Sequence, residues 1–343
     1  MRIRELDPRD ESAYDRFYAV YAAAESLGRP HATTYSRDEV RARLLSSGST
    51  IRRRAFLGRV GDAVVAVGAL ELPLLDNTHL AELAVHVHPD QRRRGCGRAM
   101  AAHLRAEARA EGRRLASAWV HGGVLDSDGR LVERSAGSYF CSAVGLQERN
   151  VDVHRILGLP VTDDRLTELA QLAAGAHQGY ELVDWSGACP QRYVPAYLSL
   201  KEAMLAEAPL GEVELEPERW TEQRLRESEA EIRAMGRVLY VVGAVAPGGE
   251  MVAHNEVVRS NSTRARLWNW DTLVLPGHRG HRLGLAVKVR NVQRVQSLHP
   301  DARELHTFNA VQNAPMVAIN DLLGFRPVEQ TGEWQAPLDQ LTI

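Results

Sequence analysis

The feature that most limits the fold of this chain is a strand–turn–helix pattern that occurs twice, the second copy lying 187 residues after the first. In the first copy an alternating apolar run, Leu80 to Val87, leads into a basic turn, and apolar residues then recur at helical spacing. The matching positions of the two copies are Val87 and Val274, Pro89 and Pro276, Arg92 and Arg279, and Gly97 and Gly284. An internal repeat of this kind predicts two similar domains.

The turn itself has the composition of an anion site. Glycines at 95 and 97 allow the backbone to turn tightly and to expose successive N–H groups, and the start of the following helix adds the positive end of its dipole. Arg92, Arg93 and Arg94 supply formal charge. Such a turn is predicted to bind phosphate or pyrophosphate.

Length and composition set wider limits. A chain of 343 residues with 44% apolar residues is long enough for two domains with separate cores. A net charge of −2 gives no global attraction to nucleic acid or to an anionic membrane. The three cysteines do not suggest a disulfide framework, and no apolar segment is typical of a secretory signal or a membrane span. We therefore expect a cytoplasmic protein without nucleic-acid or membrane partners, of undetermined oligomeric state.

The spacing V-x-P-x-x-R-x-x-G-x-G, between a strand and a helix, resembles the acyl-CoA-binding motif of the GNAT superfamily of N-acetyltransferases. The first copy matches at every position, whereas the second has Arg282 in place of the first glycine. An alternative register through His281, Gly284 and Ala286 restores that glycine but loses the arginine. The stretch 313–325 resembles a second segment of the family, with Asn320 where a tyrosine often protonates the departing thiolate. Cys141 holds that position in the first copy.

The resemblance covers nearly the whole chain and implies an α/β fold (an α+β mixed sheet) made of two tandem GNAT domains. The expected limits are 1–160 for the first domain, 161–177 for a connecting helix and linker, and 178–343 for the second domain. A strand near 147–153 is expected to complete the first domain.

The same resemblance implies acetyl-CoA as the co-substrate. The residues expected to contact it are Val85, Val87, Arg92, Arg93, Arg94, Gly95, Cys96, Gly97, Arg98, Leu273, Val274, Arg279, Gly280, His281, Arg282, Leu283, Gly284, Asn309 and Asn313. In this family the strand before the turn offers an N–H group to the thioester oxygen, which places that role at 84–87 and 272–274.

Candidates for the general base follow from strand alternation. Glu82 lies on one face of the first strand, and Asp271 lies on the corresponding face of the second. A carboxylate within an apolar strand is costly unless it is paired or functional, so each is either a base or a structural hydrogen-bond partner. Asn320 is included among the catalytic positions only because it holds the family's acid position. His86 could relay protons or could be a satisfied strand histidine.

The predicted function is transfer of an acetyl or short acyl group from acetyl-CoA to a primary amine of a small molecule, by direct attack in a ternary complex. Two alternatives stay open: acetylation of a cysteinyl amine, as in mycothiol synthase, and a tandem protein that binds acyl-CoA without catalysis. The histidine pairs 86/88 and 278/281 have no ligand partners at metal-site spacing, so no metal is expected.

Overall fold

The computed structural model describes residues 1–46 and 48–343, which divide into two compact units. The first unit contains Met1–Val151, Gly211–Glu216 and Glu329–Ile343, and the second contains Asp152–Leu210 and Pro217–Val328. These limits depart from the expected domain boundaries, because the end of the chain belongs to the first unit and residues 152–160 belong to the second. No helix in the described part of the chain has both the length and the apolar character that a membrane span requires.

The first unit is a mixed sheet with helices on both faces. Its strands follow the order β1, β2, β3, β4, β5, β13, and every neighbouring pair is antiparallel except β4 with β5. The elements are β1 (Arg2–Glu5), α1 (Glu11–Ser26), α2 (Arg37–Leu45), β2 (Ile51–Val60), β3 (Ala63–Pro73), β4 (Leu80–Val87), α3 (Cys96–Ala110), β5 (Leu115–Leu125), β6 (Leu131–Arg134), α4 (Ala136–Ala143) and β13 (Arg326–Pro337).

The second unit repeats this arrangement. Its order is β8, β9, β10, β11, β12, β7, again with one parallel pair, β11 with β12. The elements are β7 (Gln147–Gly158), α5 (Asp163–Ala174), β8 (Glu181–Ser186), α6 (Val194–Glu207), α7 (Glu222–Ala234), β9 (Arg237–Val245), β10 (Met251–Ser260), β11 (Arg266–Val274), α8 (Leu283–Leu298), β12 (Glu304–Ala310) and α9 (Ala314–Leu323).

Each sheet thus receives its last strand from the other half of the chain. The strand expected to complete the first domain, β7, pairs with β12 from Asp152 onward, and β13 pairs with β5 from Glu329 onward. Specific contacts stabilise each of these two strands in its sheet. In the second unit His154 Nε2 lies 2.9 Å from His306 Nδ1, and in the first unit the ring of Trp334 is buried in the core.

Both faces of each sheet are covered by apolar helix faces. In the first unit Met100 and Leu104 of α3 pack on one face, and Tyr14 and Phe17 of α1 pack on the other. In the second unit α8 covers the face that α3 covers in the first, while α6 and α7 take the side of α1 and α2. This equivalence allows the two copies of the strand–turn–helix pattern to be compared directly.

Candidate functional site

The first turn presents backbone amides at the start of α3. A single turn of 3₁₀ helix, Pro89–Gln91, follows β4, and Arg93 and Gly95 then adopt left-handed conformations with φ of 62° and 80°. The first N–H group bonded within α3 is that of Ala99, which donates to Gly95 O at 3.0 Å. The N–H groups of the preceding helical residues therefore have no intrahelical acceptor, and they form a cradle suited to an anion.

The second turn has the same backbone conformation, but arginine and glycine are exchanged between its two left-handed positions. The 3₁₀ turn Pro276–His278 is followed by left-handed residues Gly280 and Arg282, with φ of 85° and 54°. Arg282 therefore takes the place of Gly95, and the register proposed through His281 and Ala286 is not adopted. Each turn thus holds one arginine, Arg93 or Arg282, and one glycine in the left-handed conformation, and because this conformation is strained for arginine the backbone cost is similar in both turns.

Gly97 and Gly284 are required for close packing at the helix start. A Cβ atom on Gly97 would lie 3.3 Å from the ring of Phe140 and 3.4 Å from Val87 Cγ2. A Cβ atom on Gly284 would lie 3.0 Å from Ile319 Cδ1. The second glycine of each motif thus lets the helix start approach the preceding strand and the helix beside it.

The motif arginines of the two turns, Arg92 and Arg279, fold back onto the protein. Arg92 Nε donates to Val87 O at 3.4 Å, and Arg279 Nε donates to Val274 O at the same distance. Arg279 also pairs with Glu207 at 2.6 Å. These two guanidinium groups hold the turn against its strand, and the charge presented outward at the first turn comes from Arg93 and Arg94, both exposed.

The side chains of the second turn are tied to the end of α5. Arg282 Nη1 donates to Leu172 O at 2.7 Å, and His281 Nδ1 lies 3.2 Å from Ala176 O. In the first unit Arg98 also bonds to backbone carbonyl groups, those of Thr342 and Ala143. The first turn, with its exposed arginines, is the more open anion site of the two.

The strand before each turn parts from its parallel neighbour five residues before the valine that begins the motif. The register of β4 with β5 ends at the pair Glu82–Ser117, although both strands continue beyond it. The register of β11 with β12 ends at Asn269–Thr307. Backbone amides beyond this point are released from the ladder between these strands, and four predicted contact residues, Val85, Val87, Leu273 and Val274, lie on these strand segments.

Glu82 stands at the point where β4 and β5 part. Its cross-strand neighbour Glu71 is neutralised by Arg43 and Arg53, at 2.8 and 3.1 Å, whereas Glu82 has no ion-pair partner among residues 1–46 and 48–343. Crowding by protein atoms and the negative charges of Glu71 and Glu333 raise the pKa of Glu82 to about 7, even though solvent still reaches the residue. A carboxylate with a pKa near neutrality can accept a proton at physiological pH.

The second unit has no carboxylate at the corresponding place. β11 has a bulge between Asn269 and Thr272, so Trp268 lies opposite Val258 as Glu82 lies opposite Glu71, whereas a count of 187 residues from Glu82 gives Asn269. At the same spacing Asp271 is matched by Ala84. Asp271 lies on the predicted face, but its carboxylate pairs with Lys201 of α6 at 2.5 Å. The positive charge of Lys201 keeps the pKa of Asp271 below its usual range despite burial, so Asp271 is engaged as an ion-pair partner.

The second family segment is also internally bonded. Asn313 caps α9 by accepting from Met316 N at 3.3 Å, and Asn320 donates to Asn309 Oδ1 at 2.5 Å. Asn320 Oδ1 accepts from Lys288 Nζ at 2.6 Å, so both ends of its amide are occupied. Burial raises the pKa of the Cys141 thiol, the equivalent group in the first unit, to about 12. Neither group resembles a proton donor for a thiolate.

Other predicted residues have structural surroundings. Cys96 and Leu283 are buried beneath their helices. His86 pairs with Glu25, its Nε2 lying 3.0 Å from Oε1, and burial lowers the pKa of the ring. Two residues outside the sequence motifs, Lys201 and Lys288, lie in the second unit, where Lys288 is buried and Lys201 is half-buried, and the scarcity of lysine in the sequence was their only signal.

Comparison with known proteins identifies relatives of this architecture. Residues 17–127 match the model of the acetyltransferase (GNAT) family. Among solved structures, the chain is similar to a tandem GNAT protein from the clavulanic acid biosynthesis pathway, with 25% identity, a TM-score of 0.78 and coverage of 98% of both chains. A search of curated protein sequences found no match.

More distant structures share the fold. A GCN5-related N-acetyltransferase from Sphaerobacter thermophilus has 14% identity and a TM-score of 0.66, with 98% of this chain and 95% of that chain covered. An acetyltransferase described as putative from Pyrococcus horikoshii has 13% identity and a TM-score of 0.56, with coverage of 98% and 89%. At these identities the likeness concerns the fold alone.

Proposed function

This chain is a tandem member of the GNAT acetyltransferase superfamily, and from that premise we propose that its first unit transfers an acetyl or other short acyl group from acetyl-CoA to a primary amine of a small molecule. The observation that carries the proposal is the unpaired carboxylate of Glu82 at the parting of β4 and β5. The second unit has no carboxylate at that position, and its nearby Asp271 is ion-paired.

The residues present at the first turn suit an acyl-CoA. Exposed amides at the start of α3 and the guanidinium groups of Arg93 and Arg94 match the charge of a diphosphate. Beyond Glu82 the amides of β4 are released from β5, and such a donor can polarise a thioester carbonyl. Acetyl-CoA supplies the activated acyl group, and the chain supplies the anchoring and the polarisation.

Glu82 prepares the acceptor. An ordinary amine is protonated at neutral pH, with a pKa of roughly 10, and must lose a proton before it attacks. Glu82 takes that proton, and the neutral nitrogen forms a bond to the thioester carbon as the carbon–sulfur bond breaks. The nitrogen then loses one more proton, which water carries to the departing thiolate. Because the thiol of Cys141 is buried and has a raised pKa, water protonates the departing thiolate in this scheme.

The test is a thiol-release assay over a panel of primary amines that includes cysteinyl compounds. Glu82→Gln is expected to lower kcat/KM by about 10²–10⁴-fold while leaving the affinity for CoA unchanged, because only the proton acceptor is removed. In the wild type, kcat/KM should rise as pH increases through about 7, where Glu82 loses its proton. The exposed Glu133→Gln is a matched control and should behave as the wild type.

Three outcomes have distinct meanings. Wild-type kcat/KM in Glu82→Gln would remove Glu82 as the base. A preference for cysteinyl amines would favour a role like that of mycothiol synthase. Binding of CoA without thiol release from any amine would favour a non-catalytic acyl-CoA-binding protein.

A further inference from the structure

The second unit contains a buried ammonium group held between two carboxylates. Lys201 Nζ lies 2.5 Å from Asp271 Oδ2 and 3.0 Å from Glu256 Oε1. The side chain of Glu256 is only 2% exposed and that of Lys201 only 14%. A carboxylate this deeply buried is stable in its charged form only when a cation accompanies it, so the ammonium group is part of the site.

The surrounding groups complete a pocket for one cation. The hydroxyl group of Tyr197 donates to Glu256, and His254 Nε2 lies 3.6 Å from the same Oε1 atom. His254 is fully buried, and neither ring nitrogen has a hydrogen-bond partner within the described part of the chain. Burial and the charge of Lys201 lower the pKa of His254 to about 3, so the imidazole is neutral and leaves the positive charge to Lys201.

The same place in the first unit is lined by alanines. At the 187-residue spacing, Glu256 and Asp271 are matched by Ala69 and Ala84, which face each other across β3 and β4. Both alanines are partly exposed. The first unit therefore keeps this region open beside Glu82, whereas the second unit fills the equivalent region with charged side chains.

We propose that Glu256, Asp271, Tyr197 and His254 form a primary-ammonium site in the second unit that is permanently occupied by the chain's own Lys201. The assignment of this place as the equivalent of an acceptor site rests on the proposed function of the first unit. Lys201 then has the position of an amine substrate that does not leave, and it excludes external amines from the second unit. Acceptor binding is confined to the first unit.

The choice of lysine supports an ammonium-specific site. The chain uses forty arginines and only two lysines, yet it has lysine here. An ammonium group is a compact point charge that can sit between two carboxylates, whereas a guanidinium group is a wider planar fork. His254, Glu256 and Asp271 bring their ligand atoms within 4.8 Å of one another, a spacing that could hold a metal ion, but the ammonium group already meets both carboxylates.

The test is chemical rescue of a variant in the full-length protein. Lys201→Ala removes the ammonium group and should lower the Tm, and n-propylammonium chloride should raise it again by several degrees by filling the vacancy. Tetramethylammonium chloride at equal ionic strength is too large and lacks N–H donors, so it should give no recovery. Wild type should show no selective response to n-propylammonium.

A second pair of variants keeps the inference testable if Lys201→Ala does not fold. Lys201→Met leaves the two carboxylates without a cation, so Lys201→Met combined with Asp271→Asn should have the higher Tm. Equal Tm values for that pair, or equal responses of Lys201→Ala to propylammonium and tetramethylammonium, would overturn the inference. Neither result depends on the Glu82→Gln assay, so the proposed function stands or fails separately.

Discussion

Lys288 illustrates how far a buried side chain can depart from its behaviour in water. It is 1% exposed, and its contacts are Asn320 Oδ1 at 2.6 Å, the thioether of Met316 and the ring of Phe325, none of which carries a negative charge. Burial lowers the pKa of its amine from 10.5 to about 7. The neutral amine is therefore the favoured form in the native protein above pH 7.

This pKa predicts a pH-dependent contribution to stability. Between pH 7 and 10.5 the unfolded chain binds one more proton at Lys288 than the native protein, so the free energy of unfolding rises with pH. The slope from this group is at most about 1.4 kcal/mol per pH unit. Lys288→Met should remove it, and unfolding at pH 7 and 9 should show a stability difference from wild type that changes with pH. A difference independent of pH would mean that the amine is charged throughout.

At the level of single residues, the sequence predicts which side chains are candidates for a chemical role better than it predicts their ion-pair partners. Glu82 could be selected from an apolar strand because an unpaired carboxylate there needs a reason. Asp271 could be selected for the same reason, but the partner that neutralises it, Lys201, lies seventy residues earlier on α6, and the strand pattern does not predict how that helix packs. Composition hinted at both lysines only through their rarity.

The strand–turn–helix element was the most predictable part of the molecule, because its glycines perform separate tasks. Gly280 is needed for its left-handed conformation and has open space around its Cβ position, whereas Gly284 is needed for its lack of volume. The spacing of the motif contains the second requirement, at Gly284, but not the first, because Gly280 lies where the first turn has Arg93. The replacement of Gly95 by Arg282 at the other left-handed position could be seen in the sequence, but its tie to Leu172 O could not.

These separate tasks predict different responses to the same substitution. Gly284→Ala would place a methyl group 3.0 Å from Ile319 Cδ1 and should destabilise the protein by about 1–3 kcal/mol. Ile319→Val removes that terminal methyl group and should recover part of the loss, giving non-additive changes in a double-mutant cycle followed by denaturant unfolding. Gly280→Ala should cost about 1 kcal/mol through backbone strain, with no recovery from Ile319→Val. Additive changes at Gly284 would contradict the packing argument.

For the whole molecule, the repeat predicts a second copy of the domain, but not which sheet each last strand joins. The strand expected near 147–153 is present within β7, but the sequence does not name its partner. Partner choice depends on distant contacts, such as His154 with His306 and Trp334 in the core of the first unit. A boundary placed at residue 160 therefore follows the repeat in the sequence and cuts across the compact units.

This division of the chain predicts which fragments fold. A fragment of residues 1–160 lacks 329–343, so β5 has no β13 beside it and the carbonyl of Leu341, to which Arg105 donates at 2.8 Å, is missing. We expect it to unfold without a cooperative transition. Residues 1–151 joined by a flexible linker to 326–343 should instead show cooperative thermal unfolding, because the core around Trp334 is restored.

Replacing Trp334 by alanine in the joined fragment should remove much of that gain, since truncating a buried tryptophan costs about 3–5 kcal/mol. Circular dichroism on the three proteins decides the matter, and cooperative unfolding of residues 1–160 alone would show that the first unit does not need the end of the chain.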